Sequence, residues 1–124
     1  MTPVDPNENL SRYLFSRNNY SPTKQIIHYT AFIPPPDKRL SVFCVSGLSE
    51  NAIWEIGENV GNQSDRKLLG RADIAALPVY EAGLSIDRND IPFRHANIIG
   101  WPDEDSAIKL AAIELAQKAE LSLK

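Results

Sequence analysis

The chain has one cysteine, two histidines and no surplus of positive charge. Each shortage removes a class of protein. Cys44 has no second thiol to pair with, so a disulfide scaffold is excluded. Two histidines and one cysteine supply three zinc ligands, so a structural zinc site would need a carboxylate to complete it. No metal or cofactor is expected. No apolar run approaches the roughly 20 residues of a membrane-spanning helix, so no membrane partner is expected. The opening stretch, "MTPVDPNENLSRYLF", carries early acids and prolines and lacks the basic start of a secretory signal. The expected location is the cytoplasm. A net charge of −3 disfavours nucleic acid as a partner, because that role usually needs a basic face. Arg66, Lys67 and Arg71 form the one close basic group and read as solvated surface.

Motifs are also scarce. There is no GxxxxGK[ST], HExxH, CxxC or GxGxxG, so the phosphate loop, the common zinc patterns and the dinucleotide fingerprint are unsupported. "VSG" at 45–47 is no nucleophile elbow, since GxSxG is absent.

What is present is an ordinary globular composition. The chain has 124 residues, 43% of them hydrophobic and 23% charged, which suits one domain with a real core. Residues 1–9 read as a loose arm, and residues 10–124 as a single α+β domain. Leu10, Tyr13 and Leu14 recur at helical spacing and predict a short helix. "KQIIHYTAFI", 24–33, is rich in β-branched and aromatic residues and predicts a strand ended by Pro34-Pro35-Pro36. Residues 39–46 predict a second strand, with Cys44 as a buried, inert thiol.

Ser49 is a plausible N-cap for a helix carrying Ile53, Ile56 and Val60 on one face, with Gly61 suited to its exit. Asp73 suits the cap of a short helix through Leu77, which Pro78 makes hard to continue. "GLSI" and "RHANIIG" predict two more strands. The last helix follows Pro102 and three acids, with Ile108, Ala111, Ala112, Leu115 and Ala119 as its stripe. The fold expected is a small mixed or antiparallel sheet of three to four strands. Helices pack mainly on one face, and a long amphipathic helix closes the chain.

Chemistry concentrates on the histidines. His28-Tyr29-Thr30 and His95-Ala96-Asn97 each place a hydrogen-bonding residue two positions after an imidazole. On a strand those two side chains share a face. If the strands are neighbours, His28, Thr30, His95 and Asn97 form one surface with Arg94 or Arg39 beside it. Two imidazoles then serve as general base and general acid, and the other side chains hold a phosphoryl group. His28-Tyr29-Thr30 resembles the His-x-Thr/Ser motif of the two-histidine (2H) phosphoesterases. The resemblance covers three residues, implies metal-independent phosphoester chemistry, and is departed from at Asn97, where a hydroxyl residue is expected. Trp54, one residue off its helix stripe, and Trp101 with Phe93 are the candidate binding aromatics.

Three functions stay in view. The leading one is a small interaction module with a protein partner: an adaptor, an inhibitor, an immunity or antitoxin-like protein, or a homo-oligomer. The second is an RNase-like or phosphodiesterase-like enzyme using His28 and His95. The third is a small-molecule-binding domain with a pocket between the sheet and the last helix.

Overall fold

The computed structural model describes residues 4–124. Its frame is one six-stranded sheet in which every neighbouring pair is antiparallel. The strands are β1 (Asn9–Leu14), β4 (Leu40–Cys44), β5 (Gly70–Ala75), β6 (Ser85–Arg88), β7 (His95–Ile99) and β8 (Glu120–Leu123). Their spatial order is β6-β7-β4-β1-β5-β8. A separate two-stranded ladder joins β2 (Tyr20–Ser21) to β3 (Ile26–Ile27). Three helices complete the chain: α1 (Glu50–Ser64), α2 (Ala76–Glu81) and α3 (Asp105–Lys118).

The architecture is α+β, but the expected sheet of three to four strands is corrected to six. Three segments account for the difference. Residues 9–14 form a central strand, not a helix. Leu10 and Leu14 point to one face while Ser11 and Tyr13 point to the other, and all four are buried because the sheet is covered on both sides there. Two-sided burial erases the alternation that marks a strand and leaves spacing that also fits a helix. Asp73, expected to cap a helix, lies within β5, and the short helix starts after that strand. Pro78 fits inside the first turn of α2, where its missing N–H has no intrahelical partner to lose. Finally, α3 ends at Lys118, Ala119 is extended, and the last residues pair with β5 as an edge strand.

The segment 24–33 is the reverse case. Only Ile26 and Ile27 are strand, and Tyr29–Phe32 is a 3₁₀ turn. Ala31 and Phe32 are consecutive and both fully buried, which a strand on one face cannot achieve but a tight turn can. Arg12 clamps that turn by donating to the Ala31 carbonyl at 2.9 Å.

Residues opposed across the sheet share a face. Leu10, Leu40, Val42, Cys44, Ile74, Ile86, Ala96 and Ile98 form one face, packed with Phe32, Val79, Ile108, Ala112 and Leu115 from the 3₁₀ turn, α2 and α3. Burying such a Leu or Ile stabilises the fold by about 1.5–3 kcal/mol each. The other face carries Tyr13 and Phe43 and is covered by α1 through Ile53, alongside Val45 and Leu68. Helices therefore lie on both faces, which corrects the expected one-sided packing. Ser49 caps α1 as expected, accepting from Ala52 N–H at 3.2 Å. At Gly57 the helix comes so close that an added Cβ would sit 2.6 Å from the Tyr13 ring.

Of the expected arm, residues 4–9 contact the domain. Val4 is buried, and the carbonyls of Pro6 and Glu8 accept from Leu77 and Ala76 N–H, each at 2.9 Å. Residues 1–3 lie outside the described part. No helix among the described residues is long and apolar enough to cross a membrane.

Candidate functional site

The α1 face of the sheet is only half covered. Its row His95–Phe43–Ser11–Asp73 and its row Asp87–Asn97–Ser41 are fixed by register. Period-two alternation puts all seven side chains on one side. Helix α1 covers the Tyr13–Phe43 region. Toward β6 and β7 the floor is polar.

His95 is the centre of that floor. Its Nδ1 lies 2.8 Å from Asn89 Oδ1, and its Nε2 lies 2.9 Å from Ser41 Oγ. The proton positions follow from a third contact. Ile91 N–H donates to the same Asn89 Oδ1 at 3.1 Å, which identifies that atom as the amide oxygen. An oxygen cannot donate, so His95 Nδ1 carries the proton and gives it to Asn89. Nε2 is then a bare lone pair, and Ser41 donates its hydroxyl proton to it. The result is a directed chain, Ser41 to His95 to Asn89. Phe43 packs edge-on against the imidazole, with centroids 5.3 Å apart. Burial first, and the charge of Arg39 second, hold the His95 pKa below its usual value, so the neutral ring is favoured. Arg39 is paired with Asp87 at 3.0 Å.

The turn between β6 and β7 overhangs this site. Asn89 and Asp90 N–H both donate to the His95 carbonyl, and His95 N–H donates to that of Pro92. Asp90 and Arg94 take positive φ angles of 57° and 68°, a left-handed conformation that costs roughly 1–2 kcal/mol for a side-chain-bearing residue. Arg94 is held there by donating to the carbonyls of Ser46 at 2.9 Å and Cys44 at 3.4 Å. Strain persists only where surroundings over-determine it. This rigid turn presents Ile91 (78% exposed) and Phe93 (66% exposed) to solvent. Between it and α1 runs a groove of about 270 Å³. Phe43 lies at its floor, Pro92 and Phe93 form one wall and Ile56 and Val60 the other, and Asn59, Asn62 and Gln63 stand at its rim.

The expected site residues separate. His95 and Asn97 share the polar floor. Arg94 does not face a ligand; its guanidinium is spent on backbone carbonyls. His28 and Thr30 are on the opposite side, lining a second groove of about 480 Å³ against Ile113, Ala116 and Gln117 of α3. Thr30 donates its hydroxyl to the Asn18 carbonyl at 2.8 Å. The structure therefore does not bring His28 and His95 together, and the two His-x-polar segments build no common surface. The reason is local: His28 opens a 3₁₀ turn packed against α3, and His95 begins a strand whose odd positions face α1.

Trp101 is buried, with Nε1 donating to the Ile98 carbonyl at 3.0 Å, so it serves the core. Trp54 is half-buried above the Arg71 guanidinium, 4.5 Å from ring centroid to Cζ. Phe93 is exposed and lines the groove. Ser41 and Asn89 were not singled out by the sequence. Nothing marks them there, since their role depends on which strands are neighbours. Arg71 was read as surface, but its side chain is 4% exposed and sits between Asp73 and Glu50, at 2.9 Å from each. Its Nη1 is buried without a partner. Burial pulls its pKa down, and the bonds to Asp73 and Glu50 more than offset that, leaving it raised.

Among the described residues no group of three or more His, Cys, Asp or Glu side chains is placed to hold a metal ion. Comparison with protein-family models, curated proteins and solved structures gives no match to this chain.

Proposed function

We propose that the chain is a protein-interaction module that grips an extended, uncharged peptide segment by one bulky apolar side chain. The observation that carries the reading is the groove between α1 and the rigid turn. Its volume, about 270 Å³, falls below the roughly 300–1,000 Å³ of pockets that enclose whole drug-sized ligands, and suits a single anchoring side chain. Apolar walls from Phe43, Ile56, Val60 and Phe93 would take that anchor. The side-chain amides of Asn59, Asn62 and Gln63 at the rim can both donate and accept, as a passing peptide backbone requires. No charged side chain lines the groove, which favours a neutral segment. The turn's hydrogen bonds keep the wall preformed, and a preformed site binds at lower ordering cost. The proposed compartment remains the cytoplasm, where a free thiol such as Cys44 would stay reduced.

The test is selection from a random peptide library on the purified protein, followed by fluorescence polarisation. Enriched peptides should share one Phe, Leu or Trp. Val60→Trp, which fills the groove, should abolish their binding, and Phe93→Ala should weaken it. Enrichment that Val60→Trp leaves intact, or no enrichment at all, overturns the reading.

A second reading has its own observation. The groove beside α3 is larger, about 480 Å³, and is lined by Ile26, Ile27, Tyr29, Ile113 and Ala116. That size and lining support a small apolar ligand. An apolar fluorophore whose emission rises on binding, and falls when Ala116→Trp is introduced, is the check. Equal emission from both proteins removes this reading.

A further inference from the structure

We propose that Ser41 is a nucleophile, activated by His95 and oriented through Asn89, and that small carboxylic esters with an apolar acyl group are its substrates. The inference shares the groove with the reading above for substrate choice only; the nucleophile stands on its own geometry.

Three side chains from three segments meet in one directed chain. Ser41 Oγ–H points at a bare Nε2 at 2.9 Å, and the opposite nitrogen is tied to Asn89 at 2.8 Å. This is the arrangement nucleophilic catalysis needs: hydroxyl, base, and a third group that fixes the base's tautomer and orientation. The hydroxyl proton goes to an imidazole, a base able to take it. Ser41 is also only half-buried.

A strand interior offers no turn of converging backbone N–H groups for an oxyanion, so the donors must be side chains. Two are placed for it. Asn97 is the direct cross-strand partner of Ser41 on the same face, and Arg39 reaches that face through its pair with Asp87, the cross-strand partner of Asn97. Phe43, two residues after Ser41, lines the groove and meets the His95 ring edge-on, so an acyl group in the groove would approach the Ser41–His95 pair from the Phe43 side.

The step balances with water as the only co-reactant. Ser41 Oγ attacks the ester carbonyl carbon while its proton passes to His95 Nε2. The tetrahedral oxyanion collapses, the bond to the alkoxy oxygen breaks, and the leaving alcohol takes the proton from His95. Water then gives a proton to Nε2, attacks the acyl-serine, and releases the acid and the free hydroxyl. Asn89 touches no substrate and is a positioning residue.

The experiment treats the full chain with diisopropyl fluorophosphate and maps the adduct by mass spectrometry, then follows 4-nitrophenyl benzoate hydrolysis. One adduct per chain, on Ser41, is expected. Ser41→Ala should lose it with an unchanged circular dichroism spectrum. His95→Ala should slow labelling by about 10²-fold or more, the range for loss of a positioned general base. Asn89→Ala should also slow it, and Asn89→Asp, which keeps the acceptor, should restore it, an outcome that mere packing does not give. Asn97→Ala should lower kcat for the ester more than it raises KM.

Val60→Trp should lose benzoate turnover, because it fills the groove that takes the acyl group. Labelled Ser41 in a protein that selects no peptides leaves this inference standing and removes the recognition reading. No adduct, an adduct elsewhere, or labelling indifferent to His95→Ala overturns the inference.

Discussion

The two faces of the same sheet solve opposite problems. The face under α2, α3 and the 3₁₀ turn is sealed and apolar, with Leu10, Leu40, Val42, Cys44 and Ile98 fully buried. A strongly polar intruder there, Arg12, donates to the carbonyls of Ala31 and Ser41, and burial, with a smaller push from Arg66, lowers its pKa to about 10. The Cys44 thiol there is pushed up to about 11, chiefly by burial, and is correspondingly inert. The face under α1 is half open. It holds the Arg71 cluster at one side and Ser41, His95 and Asn97 at the other. One layer over a wide sheet leaves room for polar side chains that keep contact with water. The sealed face makes the domain stable, and the half-open face is where chemistry is affordable.

That contrast can be tested by perturbing each face in turn. The largest effect is expected on the sealed side. Phe32→Ala should cost about 3–5 kcal/mol in urea unfolding, because the ring is fully buried against α3 and leaves a cavity. A loss below about 1 kcal/mol would mean that this face is not the main core. On the other face, Arg71→Met should cost about 3 kcal/mol, near the low end for breaking a buried ion pair, since Asp73 loses its cation while Glu50 remains largely exposed. If the variant is as stable as the parent, the cluster is replaceable by apolar packing.

Gly57→Ala is the third perturbation. Alanine gains roughly 1 kcal/mol of helix propensity over glycine. The Cβ at 2.6 Å from Tyr13 should reverse that gain and leave a net loss of about 1–2 kcal/mol. Stabilisation instead would show that α1 can lift from the sheet.

The smallest effect is the pH response of His95. Its folded pKa lies below 6.5, so the unfolded chain takes up the proton first as pH falls. Stability from the neutral ring is present above 6.5 and is lost as pH drops below it. The pair Arg39–Asp87 lies on the same face as the ring and is left in place by the substitution. The difference in unfolding free energy between parent and His95→Gln should therefore shrink as pH falls through 6.5. A difference independent of pH would place the ring in water.

Much of the helical content was legible because it rests on local chemistry. Ser49 at the N-cap, the stripe Ile53–Ile56–Val60 and the stripe Ile108–Ala111–Ala112–Leu115 need no distant partner to be read. The strands at "RHANIIG" and around Val42 were legible from β-branched runs. Residues 9–14 and 70–75 were not, because burial on both faces hides the two-residue period. Residues 28–32 misled for a related reason: aromatic and β-branched composition says strand, but packing of Ala31 and Phe32 under α3 imposes a tight turn. Of the candidate site, His95 and Asn97 were visible as residues able to do chemistry. Their partners were not.

By itself, then, the sequence determined an α+β class, no disulfide within the chain, two well-marked helices and few groups suited to catalysis. Only the tertiary structure decided the six-strand order, the separation of His28 from His95, and the meeting of Ser41, His95 and Asn89. The reason is physical. Helix caps and stripes are set by neighbours within a turn or two. The Ser41–His95 contact joins residues 54 apart, and no local rule encodes which of several similar strands will pair or in what register.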